Sequence, residues 1–117
     1  MGNTPKERFL GMSGLARRAG KLVMGTQNVC DALAASRAVL VVMASGISAA
    51  TQKRLCDRTS YYGIKLIKVP VSALDIGAAL GRTMEVAAFA LTDKQMADAV
   101  EDRALKLIEY SRIEEEK

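Results

Sequence analysis

The stretch Gly25-Thr26-Gln27-Asn28 sets a turn glycine, a hydroxyl and two neutral amides side by side. At the start of a helix such residues sit among unpaired backbone N–H groups and the positive end of the helix dipole. That setting receives a phosphate or the edge of a base. Gln and Asn each donate and accept, so they match a base edge better than a plain charge does. Asp31 follows one turn later. A second polar stretch, Gly81-Arg82-Thr83-Met84-Glu85, offers a cation, a hydroxyl and a flexible apolar side chain. Two such loops at one end of a sheet form an RNA-sized surface. Taken separately, each is equally compatible with an ordinary connection.

Other chemistry is thinly represented. The chain contains no His, which rules out a His-containing triad and removes the commonest transition-metal ligand. No GxGxxG and no GxxxxGK[ST] occurs, so the usual dinucleotide and phosphate-loop cradles are missing. Asp57, Asp75, Glu85 and Asp93 are single carboxylates near element ends and read as caps or solvated residues. Cys56 lies between Arg54 and Arg58, but without a His base it reads as a core thiol. The spacing Gly77 to Gly81 reads as close packing and a helix end. No catalytic residue, cofactor or metal is expected, and a non-enzymatic protein follows.

The chain has 117 residues, which fits one domain spanning 1–117. Half its residues are hydrophobic, yet it has only two Phe, three Tyr and no Trp, so the core must be largely aliphatic. The net charge is +4, unevenly spread: residues 1–100 carry +6 and residues 101–117 carry −2. A basic body with a slightly acidic tail suits a polyanionic partner. The two cysteines are far apart and form no CxxC, as in a reduced cytoplasmic protein. The N-terminal residues lack the apolar run of a signal peptide. The longest apolar run, 38–44, is too short to span a bilayer. The expectation is a cytoplasmic protein, monomeric when free, with no membrane partner.

These residues need elements to hold them. Thr4-Pro5 starts a first helix over 5–19, closed by Gly20. A very short strand, "KLVMG", precedes a helix over 27–36 that Thr26 caps, with Val29, Ala32 and Leu33 on its apolar face. "RAVLVVMAS" reads as a strand buried on both faces. Ser48 caps a helix over 49–62. "IKLIKV" alternates as a half-exposed strand that Pro70 stops. Ser72 caps a short helix ending at Gly81, "EVAAFAL" forms the last strand, and Thr92 or Asp93 caps a terminal helix reaching about Tyr110. Its candidate core residues are Met96, Ala99, Val100, Ala104, Leu107 and Ile108, and "SRIEEEK" reads as a frayed tail. Alternating helices and strands predict an α/β protein, a three-layer α/β/α sandwich around a central mixed sheet of about four strands.

Read together, "GLARRAGKLVMGTQNVCDAL", "AVLVVMASGISAATQKRL", "YYGIKLIKV" and "ALDIGAALGRTMEVAAFALTD" resemble the bacterial members of the L7Ae/L30e ribosomal-protein family over about residues 8–100. The resemblance implies an α/β/α sandwich and an RNA partner, a kink-turn or ribosomal RNA, with the ribosome as its wider setting. Such RNAs are read at bulges and splayed bases. The family's polar helix start, which meets sheared G·A pairs, falls on Gly25, Thr26, Gln27 and Asn28. The family's basic residue one turn later is replaced by Asp31. Its loop before the last strand, which shields an extruded nucleotide, falls on Gly81, Arg82, Thr83, Met84 and Glu85. Arg17, Arg18, Lys21 and Arg82 are the phosphate contacts that would offset the Asp31 replacement and the further negative charge of Glu85. Reuse of the fold as a translation-associated protein–protein adaptor is the alternative.

Overall fold

The computed structural model describes residues 4–116. Its elements run α1 (Pro5–Arg18), β1 (Leu22–Met24), α2 (Thr26–Ala34), β2 (Leu40–Ser45), α3 (Ala49–Tyr62), β3 (Leu66–Ser72), α4 (Ala73–Ala79), β4 (Ala88–Leu91) and α5 (Lys94–Glu115). The strands form one mixed sheet in the order β1-β4-β2-β3. The β1–β4 and β2–β4 pairs are antiparallel and the β2–β3 pair is parallel.

Strand alternation explains the three layers. Leu40, Val42 and Ala44 of β2, with Phe89 and Leu91 of β4, face one side and pack with α1, α4 and α5 through Phe9, Ile76, Leu80, Val100 and Ala104. Val41 and Met43, with Ala88 and Ala90, face the other and pack against Val29, Ala32 and Leu33 of α2 and Leu55 of α3. Both faces of the central strands are covered, which is why their sequences read as unbroken apolar runs. Phe9 and Phe89 meet at 6.3 Å between ring centroids and anchor the α1 side.

Several expected boundaries move. Pro70 does not stop its strand: β3 continues to Ser72 with Ile67, Val69 and Val71 inward. It lies at the sheet edge, and Pro70 is exposed there, where a missing N–H costs no ladder bond. β4 starts at Ala88 rather than Glu85, and α4 is shorter than expected, ending at Ala79. The C-terminal segment is helical to Glu115 rather than frayed. In α5, Ala97, Val100, Ala104 and Leu107 are buried, and Met96 and Ile108 pack partly against the same core. Cys56 is exposed, not a core thiol, whereas Cys30 is buried. The inward positions of α3 are Leu55 and Thr59, which turns Cys56 outward.

Candidate functional site

The sheet topology gathers the candidate residues. Since β1 and β2 both run antiparallel to β4, and β3 runs parallel to β2, the chain leaves β1, β2 and β3 at one end of the sheet. The starts of α2, α3 and α4 and the segment entering β4 therefore share that end.

Gly25 ties the start of α2 to the start of β4. Its N–H donates to the carbonyl of Ala88 at 2.9 Å, and its own carbonyl accepts from Val29 N–H at 2.9 Å. Gly25 is the N-cap residue, with φ 97° and ψ 144°, a region that a side chain resists. Thr26 is consequently the first helical residue and not the cap that its sequence position suggested. Thr4, Ser48, Ser72 and Asp93 each accept a backbone N–H at the start of their helices. Among the described residues no side chain does so for α2, which leaves its first-turn donors facing outward.

The two amides are exposed but held. Asn28 Nδ2 donates to the Met24 carbonyl at 2.9 Å, across the Gly25 turn. Gln27 Oε1 accepts from Arg54 Nη2 at 2.7 Å, and Gln27 Nε2 donates to Asp31 Oδ1 at 2.9 Å. Asp31 thus fixes Gln27 from one side and Arg54 from the other, a pairing of α2 with α3 that fixes the amide's orientation. Asp31 and Asn28 also line a cleft of about 560 Å³ whose walls include Arg17 and Arg37.

The second loop is shaped by close backbone approach. A Cβ on Gly77 would lie 2.1 Å from the Met84 carbonyl oxygen, so only glycine lets α4 touch this loop. Arg82 N–H donates to the Gly77 carbonyl at 2.8 Å, and Val86 N–H donates to the Ala73 carbonyl at 2.9 Å. Between these anchors Gly81, Arg82, Thr83, Met84 and Glu85 are all exposed, and Met84 is 65% exposed despite its apolar side chain. Gly81 takes φ 78°. Glu85 borders a hollow of about 400 Å³ floored by Ser45, Gly46, Ile47 and Ala87 and flanked by the start of α3.

The basic candidates divide. Arg17 lines the Asn28–Asp31 cleft and also reaches Gly81, whose added Cβ would lie 3.9 Å from Arg17 Nη1. Arg18 lines the neighbouring hollow between α1 and α4. Lys21 precedes β1, at the far end of that strand, with its ammonium 4.0 Å from Asp93 Oδ1. It is not brought to the α2 start. Arg37 and Arg54 were not among the sequence candidates. Arg54 stands 27 residues from Gln27, and no local spacing announces a contact between two helices.

The sequence and the fold have parallels in known proteins. The model of the Ribosomal protein L7Ae/L30e/S12e/Gadd45 family matches residues 8–101. A Bacillus subtilis (strain 168) protein described as RNA-binding protein YlxQ is 34% identical over 85 residues, covering 73% of this chain and 83% of that protein. The structure of a protein with unknown function from Bacillus halodurans C superposes with a TM-score of 0.75 at 26% identity, covering 83% of this chain and 96% of that one. The Giardia lamblia 15.5kD RNA binding protein superposes with a TM-score of 0.71 at 12% identity, over 92% of this chain and 90% of that one, a likeness of fold.

Proposed function

The chain belongs to the Ribosomal protein L7Ae/L30e/S12e/Gadd45 family, and from that premise we propose that it is a non-enzymatic RNA-binding protein that reads a kink-turn or a kinked ribosomal RNA segment. The observation that carries the proposal is the sheet topology: the uncapped start of α2 and the segment that leads from loop 81–85 into β4 share one end of the sheet, and Gly25 N–H bonds the carbonyl of Ala88, three residues past that loop. The α2 start supplies N–H donors and the held amides of Gln27 and Asn28 for base edges. Arg82, Thr83 and Met84 supply a cation, a hydroxyl and an apolar cover for a splayed nucleotide, and the hollow beneath Glu85 receives it. Arg17 and Arg18 meet phosphates at the side.

Asp31 takes a different part from the basic residue it replaces. It orients Gln27, while Arg54 returns a positive charge to the same corner. Arg17 and Arg37 around it keep the local balance positive. A cytoplasmic, ribosome-associated setting completes the proposal. Titration of a kink-turn hairpin against an unkinked duplex, at several salt concentrations, tests it. The kinked RNA binds more tightly, with log affinity falling as log salt rises. Equal binding to both, or no salt slope, contradicts the proposal.

A second reading, a protein–protein adaptor, draws on α5. This helix runs 14 residues beyond the family match, to Glu115, and exposes Leu105, Tyr110 and Ile113 among neighbours of mixed charge. A partner that stays bound after nuclease treatment and is released by Leu105→Glu favours this reading.

A further inference from the structure

Beyond Arg54, the outer face of α3 carries chemistry that the proposed site leaves unused. Arg54, Arg58 and Tyr61 recur at i, i+4 and i+7, which stacks them in one stripe along the helix. Tyr61 is 81% exposed. Its ring meets that of Tyr62 edge to face, with centroids 4.9 Å apart and planes at 87°. Arg58, Tyr61 and Tyr62 line a surface concavity of about 450 Å³ together with Asp57. The Asp57 carboxylate accepts a 2.7 Å hydrogen bond from Lys53, so its charge is balanced within the helix. At the other end of the stripe, Arg54 donates to Gln27 at the start of α2. The stripe is thus continuous with the proposed site. Its seven-residue span is about 10 Å.

We propose that the Arg54–Arg58–Tyr61 stripe is a track for unpaired RNA leaving the kinked segment, with phosphates on the guanidiniums and a base stacked on the tyrosine. The inference rests on the RNA-binding reading above. Cations interleaved with exposed aromatic faces are the features that hold single strands without sequence preference. Stacking of an arginine on a base adds to the same attraction. A protein helix would instead need a broad apolar face, and the residues between the stripe positions, Cys56, Asp57 and Ser60, are small or polar.

The test compares a kink-turn hairpin with the same hairpin carrying a single-stranded uridine tail at its 5′ or its 3′ end. One of the two tails raises the affinity of the native chain about five- to hundredfold. Tyr61→Ala abolishes that gain and leaves the tailless hairpin unchanged. Arg58→Gln flattens the slope of log affinity against log salt for the tailed RNA by about 0.7. Both side chains are exposed, and a thermal melt confirms that each variant is folded. If neither tail adds affinity, or Tyr61→Ala keeps the gain, the track is overturned while hairpin binding still upholds the parent reading. If the native chain ignores the hairpin itself, the parent reading falls and the track with it. A nuclease-resistant protein partner lost on Tyr61→Ala assigns the stripe to protein and overturns the RNA track.

Discussion

Gly77→Ala probes how the loop over the proposed site is held. The new Cβ would lie 2.1 Å from the Met84 carbonyl oxygen and 3.2 Å from its carbon, where 3.4 Å or more is ordinary contact. The loop must retreat by over an ångström, and a backbone carbonyl has no rotamer by which to yield. Overpacking of this kind costs about 1–3 kcal/mol, with the backbone clash towards the upper end. Alanine's better helix propensity offsets about 0.5–1 kcal/mol. The net loss is about 2 kcal/mol, a fall in Tm of roughly 6–12 °C for a chain of this size. Gly11→Ala is the control, since it lies in α1 with nothing within 4 Å of an added Cβ. It raises stability by about 0.5–1 kcal/mol. Thermal melts and kink-turn titrations on both variants read the outcome. Gly77→Ala loses stability and RNA affinity together, because Arg82, Thr83 and Met84 ride on the displaced segment. A Gly77→Ala variant as stable as Gly11→Ala would refute the close approach of α4 to the loop.

Three further outcomes follow from the same geometry. Asp31→Lys releases Gln27 but adds a cation beside Arg17 and Arg37; kink-turn affinity rises on the order of tenfold, or 1.4 kcal/mol, and an unchanged titration would put this corner off the interface. A thiol reagent labels Cys56 in the native protein and Cys30 only after unfolding, as their exposures require; mass spectrometry of the labelled peptides checks the order. The hydrogen bond and then the charge of Lys6 hold the Asp75 carboxyl below its usual range. A lowered folded pKa stabilises above the unfolded value of about 3.9 and is lost as pH falls through the folded value. Lys6→Met is therefore less stable than the native chain at pH 7 and matches it in strong acid, as read from urea midpoints; a gap that persists in acid contradicts the assignment.

Much of the architecture was legible because local and global signals agreed. Thr4, Ser48, Ser72 and Asp93 each sit before a helical pattern, and each accepts the expected backbone bond. The apolar run of β2 announced burial on both faces. Gly77 was read as a packing glycine, and the distance to Met84 gives the reason. Where sequence reasoning failed, tertiary context decided. Pro70 is tolerated because β3 is an edge strand, which no local window reveals. Thr26 lost the cap position because the turn requires a positive φ that Gly25 supplies. Cys56 reads as buried by residue type, but the inward face of α3 is set by Leu55 and Thr59. At the candidate site the sequence exposed the polar helix start and the second loop. It concealed the Arg54–Gln27–Asp31 chain, because the register between α2 and α3 comes from packing on the sheet.

The most direct test of the central proposal is backbone amide hydrogen exchange on the native chain, with and without a kink-turn hairpin. Protection on RNA addition should concentrate at residues 25–28 and 81–85, the uncapped α2 start and the exposed loop that leads into β4 at the same end of the sheet. Protection confined to α5, or no change at either segment while RNA is bound, would contradict it.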